Sequence, residues 1–165
     1  MKRSTELALV PVLEAGLLLL LGGFGVLLKL PLLVTSLGPT AYEQIEKPGD
    51  KSARPYNVVV GHAVAIAAGL FAVWIFTAFS APIVSGSGML NRPRLLASVV
   101  GCLITAFLNL LLRSSQPAAF ATTMLITLGS YQSPRAVLTM ALGIGILALV
   151  GEPLRRKSLR MRENH

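Results

Sequence analysis

Residues 56–79 read YNVVVGHAVAIAAGLFAVWIFTAF, a run of 24 residues without Asp, Glu, Lys or Arg. An α-helix needs about 20 mainly apolar residues to cross the hydrocarbon core of a bilayer. Pro55 stands immediately before the run, and proline is favoured at the first position of a helix. The stretch therefore predicts a transmembrane helix with one ionisable residue, His62, inside it.

Five further apolar stretches surround this run, at residues 7–28, 30–42, 95–112, 114–134 and 136–151. Two of them are broken: Pro31, Gly38 and Pro39 fall in the first short stretch, and Pro117 and Gly129 in the second. Only 13% of the chain is charged and 53% is hydrophobic, whereas a soluble domain carries about 25% charged residues. We therefore predict an all-α, polytopic membrane helix bundle of six segments, arranged as two three-segment repeats with a short second member.

The basic residues distinguish two topologies. If all six segments cross the membrane, eleven of the 15 Lys and Arg residues lie inside and four outside; if only four helices cross and the short segments re-enter, nine lie inside and six outside. The positive-inside rule favours six crossings, and four spans with two re-entrant segments remain the alternative. Both versions place the two termini in the cytoplasm, with a single transmembrane domain at residues 1–153, a basic tail at residues 154–165, and the cytoplasmic (inner) membrane as the expected location.

The halves, at residues 7–79 and 95–151, follow the same plan. Each reads as a long helix, a short proline-led segment, a loop and a proline-led helix, and residues 80–93 join them. Because three crossings is an odd number, the second half would be inverted relative to the first. Inverted repeats with short, broken segments at matching positions are typical of transporters. Chance placement of Pro and Gly, which are common in membrane helices, is the alternative.

The two short segments carry groups that suit an anion. Pro31 and Pro117 are predicted to start short helices, whose free N–H groups and partial positive charge can hold an anion without a cationic side chain. Neighbouring hydroxyl and amide groups add donors, unless they bond to their own helix or to an adjacent one. The predicted substrate-binding residues are Thr35, Ser36, Gly38, Thr40, Asn57, His62, Ser115, Gln116, Thr122 and Thr123.

Two ionisable residues lie inside predicted spans, His62 and Glu14. Ionisable groups are costly in a membrane, so each is a functional candidate, and we predict that the pair couples protons to transport. The alternative is a static hydrogen bond between helices. A lone histidine without nearby Cys, His or carboxylate ligands predicts no metal site.

Two blocks in the first half carry a family resemblance. VTSLGPTA at residues 34–41 and RPYNVVVGH at residues 54–62 resemble, in order and spacing, the signature of the HPP family of integral membrane proteins. The chain reads Ser115-Gln116-Pro117 where the motif that names the family reads His-Pro-Pro. The resemblance covers roughly residues 10 to 153 and implies a compact multi-pass protein. Some members are nitrite transporters of plastids and cyanobacteria, so the resemblance implies nitrite as a candidate substrate.

We therefore expect a small transporter or channel-like permease for a small inorganic anion. The alternative is a non-transporting membrane scaffold or subunit of a larger complex, whose small-residue helix faces bind another membrane protein. The sequence lacks Ser/His/Asp spacing, HExxH and GxxxxGKS/T, so we predict neither an enzyme nor a cofactor. The long uncharged stretches argue against nucleic acid as a partner, and the short chain predicts a homo-oligomer in the lipid bilayer.

Overall fold

The computed structural model describes the backbone of residues 2–163 and the side chains of residues 9–162. In the described range every regular element is a helix, and there is no strand. A short 3-10 turn, Ala78–Ser80, precedes the joint between the halves. The helices are α1 (Lys2–Leu28), α2 (Leu37–Glu46), α3 (Pro55–Ile75), α4 (Val84–Ser87), α5 (Arg92–Leu111), α6 (Ala118–Thr127) and α7 (Pro134–Glu163).

Four helices of the described range are long and apolar enough to cross a membrane. The qualifying stretches are Leu9–Leu28 in α1, all of α3, all of α5 and Pro134–Arg162 in α7. The helices α2 and α6 have 10 residues each, about 15 Å, which is too short to cross alone. The prediction of an integral membrane protein built as a helical bundle is confirmed.

The prediction that Pro31 starts a helix is wrong, because α2 begins only at Leu37. Leu32 and Val34 are buried, whereas Leu33 and Thr35, the residue after each of them, are exposed. Burial that alternates with a period of two is typical of extended chain rather than helix. The segment therefore enters the bundle extended and becomes helical only near Ser36. Pro117, in contrast, stands directly before α6, as predicted.

Helix α3 lies at the centre of the bundle, in contact with α5, α6 and α7, while α1 packs on α2 and α7. Glycines allow the closest approaches. A side chain at Gly61 would overlap Gln116, and one at Gly101 would press on Thr123. The glycine-bearing faces of α3 and α5 therefore pack against helices of the same chain.

Each short helix runs parallel to the long helix that ends the other half. Glycines eight residues apart on the long helix mark both contacts. Where α7 meets α2, Gly143 faces Leu37 and Gly151 faces Gln44. Where α3 meets α6, Gly61 faces Gln116 and Gly69 faces Ile126.

The first long helix of each half ends in the same way. A basic residue takes the left-handed backbone conformation, with φ 54° at both Lys29 and Arg113. The next residue then donates its N–H to the carbonyl five positions earlier, which is the longer bond of a Schellman-type helix end. These bonds are Leu30 N to Gly25 O at 2.9 Å and Ser114 N to Asn109 O at 2.8 Å.

The predicted basic tail continues α7 as helix up to Glu163 and packs on the loop that follows α2. Arg155 Nη1 donates to Pro48 O at 2.7 Å, and Ser158 Oγ donates to Ile45 O at 2.8 Å. Glu152 pairs with Arg155 at 2.6 Å. Residues 164–165 of the predicted tail and residue 1 of the predicted domain lie outside the described residues.

Candidate functional site

His62 stands in the second turn of α3 and joins the two short helices. Its ring is fully buried. His62 Nδ1 lies 2.7 Å from Thr122 Oγ1 in α6, and His62 Nε2 lies 3.0 Å from Thr40 Oγ1 in α2. The two short segments therefore meet through one imidazole. His62 is about 10 Å along α3 from its start, which places the meeting point a third of the way along the helix.

Gln116 extends this cluster toward the loops. In the orientation that satisfies both ends of its amide, its oxygen accepts from Thr40 Oγ1 at 3.2 Å. Its nitrogen then donates to Glu43 Oε2 at 2.9 Å and to Ser52 O at 3.1 Å. Because Gly61 has no side chain, Gln116 can lie directly against α3. A carboxylate of α2 is thus linked to His62 through one amide and one hydroxyl.

Asn57 joins the two loops that lead into this cluster. Its Nδ2 donates to Lys51 O at 2.6 Å, and its Oδ1 accepts from Ser115 N at 2.8 Å. Both bonds go to backbone groups, and the side chain is buried. The structure therefore places Asn57 as a clamp between the loops after α2 and α5.

Further hydroxyl pairs continue along the interface of α5 and α6. Thr123 Oγ1 lies 2.8 Å from Thr105 Oγ1, and Thr127 Oγ1 lies 2.8 Å from Ser98 Oγ. Each hydroxyl can donate or accept, so each pair can reverse its direction. A row of polar groups therefore runs along two apolar helices.

A cavity of about 370 Å³ opens at the start of α6. Asn109 lines it, is buried, and has no hydrogen-bond partner for either atom of its amide. Buried amides are almost always paired, so the unpartnered amide of Asn109 is the unusual polar group of this cavity. The positive end of the α6 dipole lies at the same cavity. The lining residues are Ala106, Asn109, Leu110, Ser114, Ser115, Gln116, Pro117 and Phe120.

Several predicted site residues lie apart from the His62 cluster. Thr35 is exposed in the extended segment, and Ser36 is buried with an unpartnered hydroxyl. Gly38 lies in the first turn of α2, and a side chain there would meet no neighbouring part of the chain within 4 Å. Ser115 contributes only its backbone N–H to Asn57 and has an exposed side chain.

The structure does not bring Glu14 to His62. Helix α1 packs on α2 and α7, and Glu14 Oε1 is buried without a partner. The acidic group linked to His62 is Glu43, which the sequence reading missed because it follows Tyr42, the end of the predicted short segment. Asn109 was not among the predicted binding residues, although it is a polar residue inside the predicted span 95–112. A polar residue in such a span was the available signal.

Thr122, His62 and Thr40 form one continuous chain of hydrogen-bonding groups. A neutral imidazole donates from one nitrogen and accepts at the other, and hydroxyl partners suit either tautomer. A proton taken up at one nitrogen and released from the other would move between Thr122 and Thr40 without any movement of the backbone. Among the residues whose side chains are described, no group of three His, Cys, Asp or Glu could hold a metal ion.

Long apolar helices around a buried Thr–His–Thr cluster define a multi-pass integral membrane protein with a polar site in its interior. The family model described as "HPP, transmembrane region" matches residues 3–160. The chain therefore belongs to the HPP family of integral membrane proteins, which confirms the resemblance noted in residues 34–62. Neither a curated protein nor a solved structure matches the chain.

Proposed function

We propose that this protein is a permease for a small inorganic anion, built from two inverted repeats, and that nitrite is the first anion to test. The cavity at the start of α6, with its buried and unpartnered Asn109 amide, carries the proposal. Gln116 belongs both to this cavity and to the His62 cluster, so an anion in the cavity is one residue away from the proton-carrying group. An anion there gains amide and hydroxyl donors and the positive end of a helix dipole.

The path of the second short segment supports six crossings. It leaves the end of α5 at Leu112, whose carbonyl accepts from Tyr56 Oη at 3.0 Å near the start of α3. It ends at Thr127, whose carbonyl accepts from Arg94 Nη1 at 3.1 Å near the start of α5. The segment therefore travels the length of α5, about 27 Å.

The first short segment behaves in the same way beside α7. It runs from Leu32 near Gly143 to Ile45, which accepts from Ser158. That is 15 residues of α7, about 22 Å. With six crossings each half has three, and the matching ends of α1 and α5 support an inverted repeat. In this arrangement the short helix of each half packs on the last long helix of the other half: α2 on α7, and α6 on α3.

Cysteine labelling tests this topology. We expect Gly88→Cys to react with a membrane-impermeant thiol reagent in intact cells, and Asp50→Cys to react only after permeabilisation. Both positions are exposed. The background is Cys102→Ala, which removes the only native cysteine. The opposite pattern would support four spans with two re-entrant segments and would remove the basis for an inverted repeat.

The proton-coupling role that we predicted for His62 stays part of the proposal, and we assign its acidic partner to Glu43 rather than Glu14. Glu43 is linked to His62 by two intervening side chains, whereas Glu14 makes no hydrogen bond to the cluster. Assembly as a homo-oligomer and residence in the cytoplasmic membrane, with both termini inside, belong to the same proposal.

The scaffold alternative loses its strongest feature in this fold. It needs small-residue faces free for another protein, but Ala97 and Gly101 are buried and Gly101 contacts Thr123 and Thr127 of the same chain. A scaffold would also gain nothing from an unpartnered buried amide, which costs about 1–3 kcal/mol.

Anion flux into proteoliposomes tests the permease. We expect purified protein to raise nitrite uptake several-fold over protein-free vesicles, with saturation as the nitrite concentration rises. Competition by nitrate, chloride and formate then ranks the anions. Vesicles in which none of these four anions crosses faster than in protein-free controls, with the protein correctly folded and inserted, would overturn the proposed function.

A further inference from the structure

Arg94 is a buried cation that pairs with no acidic side chain among those the structure describes. It lies in the first turn of α5 and is fully buried. Arginine stays protonated in proteins. The ion pairs found among the described side chains all involve other residues. A buried charge without a counter-ion is costly, so its position calls for an explanation.

The guanidinium is held by neutral oxygen atoms only. The three backbone acceptors are Thr127 O at 3.1 Å, Ala81 O at 2.7 Å and Pro82 O at 3.4 Å, and the side-chain acceptor is Gln132 Oε1 at 3.3 Å. These bonds fix the group in place but leave a full positive charge. Gly129, with φ 104°, lies so close that a side chain there would press on the guanidinium carbon at 3.0 Å.

Arg94 also stands at one end of the polar row between α5 and α6. Ser98, Thr105 and Asn109 follow it on the buried face of α5, and the first two bond to hydroxyls of α6. Asn109, at the other end, lines the cavity. The row spans 15 residues of α5, about 22 Å. One end thus offers an unpartnered amide and the other a positive charge.

We infer that Arg94 determines the charge selectivity of anion passage at its end of α5, while the middle of the α5–α6 interface is closed by the contacts of Gly101 with Thr123 and Thr127. The inference rests on the proposed function. A positive charge in a low-dielectric interior attracts anions and repels cations over several ångströms. The charge of Arg94 also offsets the partial negative charge at the end of α6, where Thr127 O would otherwise repel an approaching anion.

The test compares three variants by nitrite flux into proteoliposomes. Arg94→Gln removes the charge and keeps a hydrogen-bonding side chain, and we expect the nitrite concentration for half-maximal flux to rise at least tenfold. Arg94→Lys keeps the charge without the planar fork, and we expect less than a threefold rise together with a lower Tm. Arg92→Gln removes the same charge from an exposed position two residues earlier and should behave as the unaltered protein does.

If the nitrite concentration for half-maximal flux is the same in Arg94→Gln and Arg92→Gln, the inference is overturned, but the proposed permease function is not. A loss in Arg94→Lys as large as that in Arg94→Gln would overturn it as well, because geometry rather than charge would then matter. If Arg94→Gln does not fold, Arg94→Lys decides alone: retained nitrite affinity supports the role of the charge, and lost affinity contradicts it. Absence of flux in the unaltered protein would instead overturn the proposed function, and this inference with it.

Discussion

Thr122→Val is expected to weaken anion binding at least tenfold and to lower nitrite flux accordingly. The change keeps the shape of the side chain but removes the hydroxyl that lies 2.7 Å from His62 Nδ1. Thr122 does not line the cavity at the start of α6. Under the proposal its hydroxyl reaches the anion when the anion passes from that cavity to the His62 cluster, and a hydrogen bond to a charged ligand contributes about 1.5–3 kcal/mol, which corresponds to tenfold or more in affinity. The ring nitrogen also loses its partner in a dry interior, so the alignment of His62 should suffer as well. The nitrite concentration for half-maximal flux measures this effect.

Two matched variants control for the loss of a buried threonine. Thr139 is equally buried, but its hydroxyl donates only to Arg135 O one turn earlier in α7, at 2.8 Å. Thr139→Val should therefore leave flux unchanged. Thr122→Ser restores the hydroxyl and should recover most of the affinity. Flux that falls equally in the Thr122→Val and Thr139→Val proteins would assign the effect to packing and remove Thr122 from the anion site.

The long helices were predictable because their signal is local. An uncharged run such as residues 56–79 fixes its own helix, and the ends of α3 and α5 lie within a few residues of the predicted limits. His62 was also visible, since it is the one ionisable residue in that run. The family resemblance came from contiguous blocks, and the family model that matches residues 3–160 rests on the same contiguity.

The extended lead into α2 was not predictable from composition. Pro31 is compatible with either a helix start or extended chain, and the choice is made by a partner 112 residues away. Leu32 O lies so close to Gly143 that any side chain there would collide with it. The contact of Leu32 with α7 and the burial of Leu32 and Val34 therefore favour the extended form, and a local sequence pattern cannot show that contact.

The pairings inside the site depend on helix rotation, which a single sequence does not specify. Thr40, Thr122 and Gln116 were predicted as polar candidates, but nothing in their spacing assigned them to His62. Asn57 was predicted to bind substrate and is instead occupied by two backbone bonds. Glu43 lies at the polar end of α2 and gains significance only because Gln116 reaches it across the bundle.

His62→Gln is expected to abolish proton-driven accumulation of the anion while leaving downhill flux within a few-fold of normal. A glutamine amide offers one donor and one acceptor, so it can still bond to Thr40 and Thr122, which lie 3.0 and 2.7 Å from the ring nitrogens. It cannot take up a proton and release it from its other end. The measurement imposes a pH gradient across proteoliposomes that hold equal nitrite inside and outside, and follows uptake against time.

Comparing proton-driven accumulation of nitrite with its downhill flux tests directly whether protons and the anion are coupled. If His62 carries the proton, the unaltered protein accumulates nitrite in the gradient and His62→Gln only equilibrates it. If Glu43 is the acidic end of the same route, Glu43→Gln should show the same uncoupling, because Gln116 would keep a bonding partner that no longer titrates. The Glu14 carboxyl makes no hydrogen bond to the cluster, so the Glu14→Gln protein should still accumulate nitrite in the pH gradient. Accumulation that persists in His62→Gln would show that the imidazole only holds α2 and α6 together, and that any proton crosses elsewhere.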